Sequence, residues 1–298
     1  MIQIILFLIS VRAFASLPDY THTTISRNIE NFATSIDHFF ADDTALNYEN
    51  KSRIRLYTDT LFRENKKHNT TGDVKVQLVL PGTEKSLQLI IESRDEEVDE
   101  NDIADRANQR NQLDQKNDTK AGLQFLLDKT NFKSSLGSGV IFREIRPLPF
   151  IRLRLKQNIT FGKWLFRPES ETLWVDSEGT VSKLDLDFYY KLSHKLLFRF
   201  ANFTRWNDQD YIFELSNGPS LFHKVNEKIA LSYNARTVSS NTPSQAVTNY
   251  SLSVSYRQLL YKKWFFWTAT PLLEFPEEEK FRRTPSFNVR FEMIFGYI

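Results

Sequence analysis

Over long stretches of this chain, apolar and polar residues alternate with a period of two. Ile151, Leu153, Leu155 and Ile159 interleave with Arg152, Arg154, Lys156 and Asn158. Leu184, Leu186, Phe188 and Tyr190 interleave with Lys183, Asp185, Asp187 and Lys191, and Tyr250, Leu252, Val254 and Tyr256 with Ser251, Ser253, Ser255 and Arg257. Successive side chains of a strand point to opposite faces, so each stretch reads as a β-strand with one greasy and one hydrophilic face. The first half repeats the pattern more briefly. Ile54, Leu56 and Thr58 oppose Arg53, Arg55, Tyr57 and Asp59, and Val74 to Leu80 leads through Pro81-Gly82-Thr83-Glu84 into Leu87, Leu89 and Ile91, a hairpin.

The greasy face can point into a soluble barrel or out into lipid. Two features favour lipid. The amphipathic segments reach about ten residues or more, the length a tilted strand needs to cross a bilayer. Aromatic residues also gather near segment ends (Phe161 and Trp164, Trp174, Tyr189 and Tyr190, Trp206 and Tyr211, Trp264 to Trp267), as in interfacial girdles. Composition agrees: mean hydropathy is only −0.43, yet 25 Phe stand beside 11 Tyr and 5 Trp. No apolar run of about 18 to 20 residues occurs, which excludes a helical membrane protein. A formal charge of +2 is too small to argue for nucleic acid, and the absence of Cys fits passage through an oxidising compartment.

The ends and one interruption depart from the alternation. Residues 1–15 resemble a secretory signal peptide, with a short apolar core from Ile2 to Ile9 and Ala13-Phe14-Ala15 before a cut at Ser16; the competing reading is a buried first strand of a cytosolic protein. Within the segment 16–50, Ile25, Ile29, Phe32, Ile36, Phe39 and Phe40 recur at steps of three and four, which predicts an amphipathic helix over 24–40. It would plug or cap a barrel, lie on a membrane surface, or pack on the rim. Residues 94–120 are polar and acidic and read as a long external loop of a barrel spanning 51–298. Their charges suit a solvated run better than a cation site. Phe287, Val289, Phe291, Met293 and Phe295 then alternate with Asn288, Arg290 and Glu292 to the end of the chain.

That aromatic terminal strand resembles the C-terminal signal of outer-membrane proteins. With the amphipathic strands and the leader, the chain resembles the Gram-negative outer-membrane β-barrel class; Trp264 to Phe275 (WFFWTATPLLEF) and the closing FNVRFEMIFG are similar to the ends of uncharacterised proteobacterial barrel proteins. The resemblance implies an all-β, transmembrane, antiparallel up-and-down barrel. About twelve strands are expected, with ten to fourteen open because 129–145 and 164–176 are irregular or interrupted by proline. It also implies Sec-dependent export to the outer membrane, contact with outer-membrane lipid and lipopolysaccharide, and recognition by the barrel-assembly machinery. It implies no catalytic residue and no cofactor.

The residues themselves carry little chemistry. No pair among His22, His38, His68, His194 and His223 has metal-ligand spacing. Leu136-Gly137-Ser138-Gly139 lacks the Lys of a phosphate loop. Ser220 and His223 would be the nucleophile and base of a phospholipase-like enzyme, but three residues along a strand is an opposite-face spacing. The remaining candidate is the polar face as a lumen lining. Arg53, Arg55, Lys75, Arg152, Arg154, Lys156, Lys183, Lys191, Arg199, Lys228, Arg236, Arg257 and Arg290 set basic groups against Asp59, Asp185, Asp187, Glu214, Glu274 and Glu292. Such a lining either favours anions in a narrow, non-enzymatic pore or fills an occluded structural or assembly component with paired charges. Two alternatives stay open: a soluble periplasmic barrel, lipocalin-like, that holds an apolar ligand, and the phospholipase-like enzyme.

Overall fold

In the computed structural model the described residues are 31–36, 39, 52–64, 68–80, 86–92, 118–129, 131–143, 146–242 and 246–296. Their alternating segments form fifteen strands: β1 (Arg53–Arg63), β2 (Asn69–Val79), β3 (Leu87–Glu92), β4 (Asp118–Lys129), β5 (Phe132–Arg143), β6 (Arg146–Gln157), β7 (Ile159–Phe161), β8 (Trp164–Val175), β9 (Gly179–Lys191), β10 (Leu196–Asn207), β11 (Ile212–Lys224), β12 (Ile229–Ser240), β13 (Ala246–Tyr261), β14 (Phe265–Pro276) and β15 (Thr284–Gly296). All pairings are antiparallel. The sheet closes because β1 pairs with β15 and β6 pairs with β8, giving a barrel of fourteen strands with β7 outside that count. β7 pairs with β8 in the register β6 already holds, so it is the tail of β6 beyond a break at Asn158.

Fourteen strands correct the expected twelve. The two stretches that looked irregular are full strands, β5 and β8. In β8 proline misleads, because it removes a ladder donor and normally argues against a central strand. In this barrel Pro149 sits opposite Val140, Pro168 opposite Leu186, Pro219 opposite Phe200 and Pro271 opposite Phe287, each inside an otherwise continuous ladder.

The barrel is turned inside out relative to a soluble protein. Among the described residues, 36 polar or charged side chains are buried against 19 apolar ones, while 33 large apolar or aromatic side chains are exposed. The exposed ones are the predicted greasy stripes: Ile151, Leu153 and Leu155 on β6, Leu252 and Val254 on β13, and Phe287, Phe291, Met293 and Phe295 on β15. This is the reverse of a lipocalin-like barrel with its apolar face inward. At 25 cal/mol per Å², an apolar wall of this extent left in water would be strongly unfavourable, so it belongs against hydrocarbon.

β1 begins and β15 finishes at one end of the barrel, termed proximal here; the turns 192–195, 225–228 and 262–264 lie there, and 176–178, 208–211 and 277–283 lie at the distal end. Aromatic pairs mark both ends of the outer surface: Trp164 with Tyr190 at 4.9 Å and Trp264 with Phe295 at 5.3 Å proximally, Trp206 with Tyr211 at 6.1 Å and Tyr250 with Phe281 at 5.7 Å distally. Tyr189, grouped with the girdle on sequence grounds, instead points inward and is buried.

Residues 1–15, expected to be a leader, most of the segment 16–50 and residues 93–117, which hold most of the loop expected over 94–120, lie outside the described residues; 118–120, read as the end of that loop, open β4. Of the expected helix over 24–40, residues 31–36 and 39 are described and helical.

Candidate functional site

The interior carries a belt of ion pairs whose partners are set by strand register. At the β15–β1 seam Asp59 and Arg290 are directly opposite, and the guanidinium clasps the carboxylate through Nε at 3.0 Å and a terminal nitrogen at 2.6 Å. Glu292 is held between Arg55 and Arg257. Tyr57 fills the space between them, with the guanidiniums of Arg290 and Arg55 at 4.5 and 5.1 Å from its ring. Arg53 donates to Gln77 at 2.9 Å, and Gln77 donates in turn to Gln88.

Across β6, β8 and β9 three cross-strand pairs are themselves ion pairs, the arrangement that stabilises neighbouring strands. Arg154 lies opposite Glu171 and bonds to it, Glu171 also meets Lys183 at 3.4 Å, and Lys156 meets Glu169 at 3.2 Å. Asp187 takes Arg199 at 3.7 Å and the Tyr189 hydroxyl at 3.0 Å; Arg167 donates to that hydroxyl at 3.3 Å. Asp185 lies inward on β9, opposite Glu169, and is half-buried. Between Arg257 and Arg236 a second arc, on β12 and β13, is uncharged: Ser232, Asn234, Ser253 and Ser255 are buried there, with Asn234 donating to Ser232 and Ser253.

Thirteen Lys and Arg side chains are buried among the described residues against six Asp and Glu. Six partly buried groups in the belt narrow that excess without removing it, because Glu171, Asp185, Asp187 and Glu214 are partly offset by Lys183 and Lys191. The interior is therefore net positive in a region of low dielectric, where charge counts for more than it does in water.

Of the residues assigned to the lumen by alternation, Arg53, Arg55, Lys75, Arg152, Arg154, Lys156, Arg199, Arg236, Arg257, Arg290 and Glu292 are buried inside, and Lys183 and Asp187 are half-buried there. Lys228 is not in the lumen; it sits exposed in the turn before β12. Arg236 does not line open space. Gly218, at φ +155°, and Pro219 interrupt the β11–β12 ladder, and Arg236 fills the gap by donating to the carbonyls of Gly218 and Pro219 at 2.9 and 3.1 Å and to Ser220 Oγ at 2.9 Å. Ser220 is thus buried inside, whereas His223 lies on the other face of β11.

Alternation missed Arg167, Glu169, Glu171, Glu92 and Arg205, and it missed a change of character at the proximal mouth. There the inward positions turn apolar: Leu165, Tyr189, Leu197, Phe222 and Ala230 are buried together with Ala33 and Ile36, and Phe32 and Phe39 pack on the cluster. Phe39 meets Phe266 edge to face at 6.1 Å, and its carbonyl accepts from Arg257 Nε at 2.7 Å. Lys191 stands over the Phe32 ring at 4.8 Å. Residues 31–36 and 39 therefore contact the lumen wall from β8 to β14. Among the described residues no three His, Cys, Asp or Glu side chains converge as a metal site would require.

No known protein family matches the chain, and no curated protein does. The solved structures similar to it are outer-membrane β-barrel proteins of Gram-negative bacteria. OccK11 (OpdR) of Pseudomonas aeruginosa aligns at 10% identity and TM-score 0.48 over 83% of this chain and 96% of its own. A loop L8 deletion mutant of OmpT, an outer-membrane protein of Vibrio cholerae, aligns at 12% identity and TM-score 0.47 over 82% and 98%. The outer-membrane channel DcaP of Acinetobacter baumannii aligns at 6% identity and TM-score 0.44 over 82% and 96%.

Proposed function

We propose that this chain is an outer-membrane barrel that passes small anions through a narrow interior, with residues 31–36 and 39 stopping its proximal mouth. The observation that carries this reading is the imbalance of thirteen buried cations to six buried carboxylates in the barrel interior. A lining of that sign lowers the energy of an anion inside and raises that of a cation. The outward apolar wall supports a bilayer location, and the even strand number with both strand termini at one end is the arrangement of bacterial single-chain barrels. Orientation follows the same logic, with the proximal end towards the periplasm.

Planar bilayers under a KCl gradient test it, using the full chain and a variant lacking residues 31–40. The expected result is a zero-current potential on the chloride side, with larger conductance in the shortened chain. No resolvable current from either form would refute conduction and favour the occluded structural or assembly role.

A further inference from the structure

Among the described residues, lysines dominate the proximal rim of the barrel and carboxylates the distal one. Lys129, Lys163, Lys195, Lys228, Lys262 and Lys263 are all exposed at the proximal end, and none has an ion-pair partner among the described residues. The proximal carboxylates Asp128 and Glu227 are occupied by other lysines, Lys133 at 3.6 Å and Lys224 at 3.0 Å. The distal turns and strand ends instead present Asp176, Asp208, Asp210 and Glu277 to Glu279, offset in part by Arg146, Lys280, Arg282 and Arg283.

The proximal lysines are also placed by aromatic rings. Lys163 is flanked by Phe161 and Trp164, both exposed on the outer wall. Lys262 and Lys263 sit between Tyr261 and Trp264; the Lys262 ammonium lies 5.2 Å from the Tyr261 ring, and Trp264 stacks on Phe295. Aromatic girdles settle at the headgroup level of a bilayer, and a lysine beside one extends its ammonium to the phosphates. We propose that the proximal rim is a docking surface for the anionic headgroups of the phospholipid leaflet, which holds the barrel in one orientation and speeds its insertion. This rests on the membrane-barrel reading above but not on conduction.

The test refolds the full chain into phosphatidylcholine vesicles with or without phosphatidylglycerol, scoring insertion by the altered gel mobility of folded barrels. Wild type is expected to insert on the order of tenfold faster with phosphatidylglycerol at low salt, an advantage that high salt removes. The variant K163Q/K195Q/K262Q/K263Q is expected to lose that advantage while inserting normally into phosphatidylcholine alone; D208N/D210N is expected to keep it. If the quadruple variant fails to insert into phosphatidylcholine, the single variants K262Q and K263Q are scored by the same ratio. A phosphatidylglycerol advantage undiminished in the lysine variants overturns the proposal. Failure of wild type to insert into any vesicle overturns the membrane reading instead.

Discussion

Arg152 on β6 donates to Glu92 on β3 at 3.0 Å, reaching over the two strands between them. The reach is open because the residue opposite Arg152 on β5 is Gly137, and beyond it lies Gln124, which accepts from the same guanidinium at 3.4 Å. Glu92 also meets Lys75 on β2 at 3.7 Å, so one carboxylate ties together strands from β2 to β6.

Neutralising Glu92 should therefore cost more than its own contacts. Glu92→Gln leaves two buried cations facing each other, and breaking a buried pair in this way costs about 3 kcal/mol. Urea unfolding in detergent or vesicles should show that loss, and a double-mutant cycle with Arg152→Met should give a clearly favourable coupling energy. A Cβ at Gly137 meets only ordinary contacts, so Gly137→Ala should be nearly neutral, whereas Gly137→Phe should displace Arg152 and reproduce most of the Glu92→Gln effect.

Arg236 mends the wall and does not line the path. Its guanidinium bonds the carbonyls freed by Gly218 and Pro219 together with Ser220 Oγ. Arg236→Ala should lower stability by about 2 to 3 kcal/mol, since the carbonyls lose a charged partner. Arg236→Lys should recover only part of that, because an ammonium lacks the fork geometry. Ion preference should change far less than stability does, and paired unfolding and zero-current measurements separate the two.

The architecture was readable where the two faces of a strand differ. On β6 the parity of Arg152, Arg154 and Lys156 assigns the inside without ambiguity. It fails where both faces are apolar: Tyr189 beside Tyr190, Leu196 beside Leu197, and Phe222 beside Leu221 carry no sign of which neighbour faces the lumen. That is why the cradle for Ala33 and Ile36 is invisible in the sequence, although the helical spacing of Phe32, Ile36 and Phe39 is not. β8 was hidden differently. Its Arg167-Pro168-Glu169-Ser170-Glu171 has the composition of a loop, and only the register with β9 shows Pro168 on one face with Arg167, Glu169 and Glu171 on the other. Partnerships such as Arg152 with Glu92 depend on strand offset, which local sequence does not encode.

Selectivity should respond to the Arg154, Glu171 and Lys183 cluster with a definite sign. Glu171→Gln removes a negative charge that Arg154 and Lys183 share, so the zero-current potential should move further to the chloride side. Lys183→Glu should move it towards potassium. Both shifts should shrink in about 1 M salt, where screening acts over roughly 3 Å. Equal potentials in all three proteins would show that ions do not pass this belt.

The seat of residues 31–36 and 39 predicts how the mouth opens. Ala33 is 0% exposed and Ile36 1% exposed, in a cradle formed by Leu165, Leu197, Phe222 and Ala230. Burying Ile36 contributes about 1.5 to 3 kcal/mol to docking, and a carboxylate in its place forfeits that burial and must be desolvated among Leu165, Leu197 and Ala230, although Arg199 and Lys191 stand over the nearby rings of Phe222 and Phe32. Ile36→Asp should release the segment and raise conductance to the level of the chain lacking residues 31–40. The barrel's unfolding midpoint should barely move, because the fourteen-stranded ladder closes through β1–β15 and β6–β8 without this segment. A converse variant locks it. The chain has no native Cys, so Ala33→Cys with Leu197→Cys should form one disulfide on oxidation, abolish current, and restore it on reduction. Unchanged current in both variants would show that the segment does not obstruct the path.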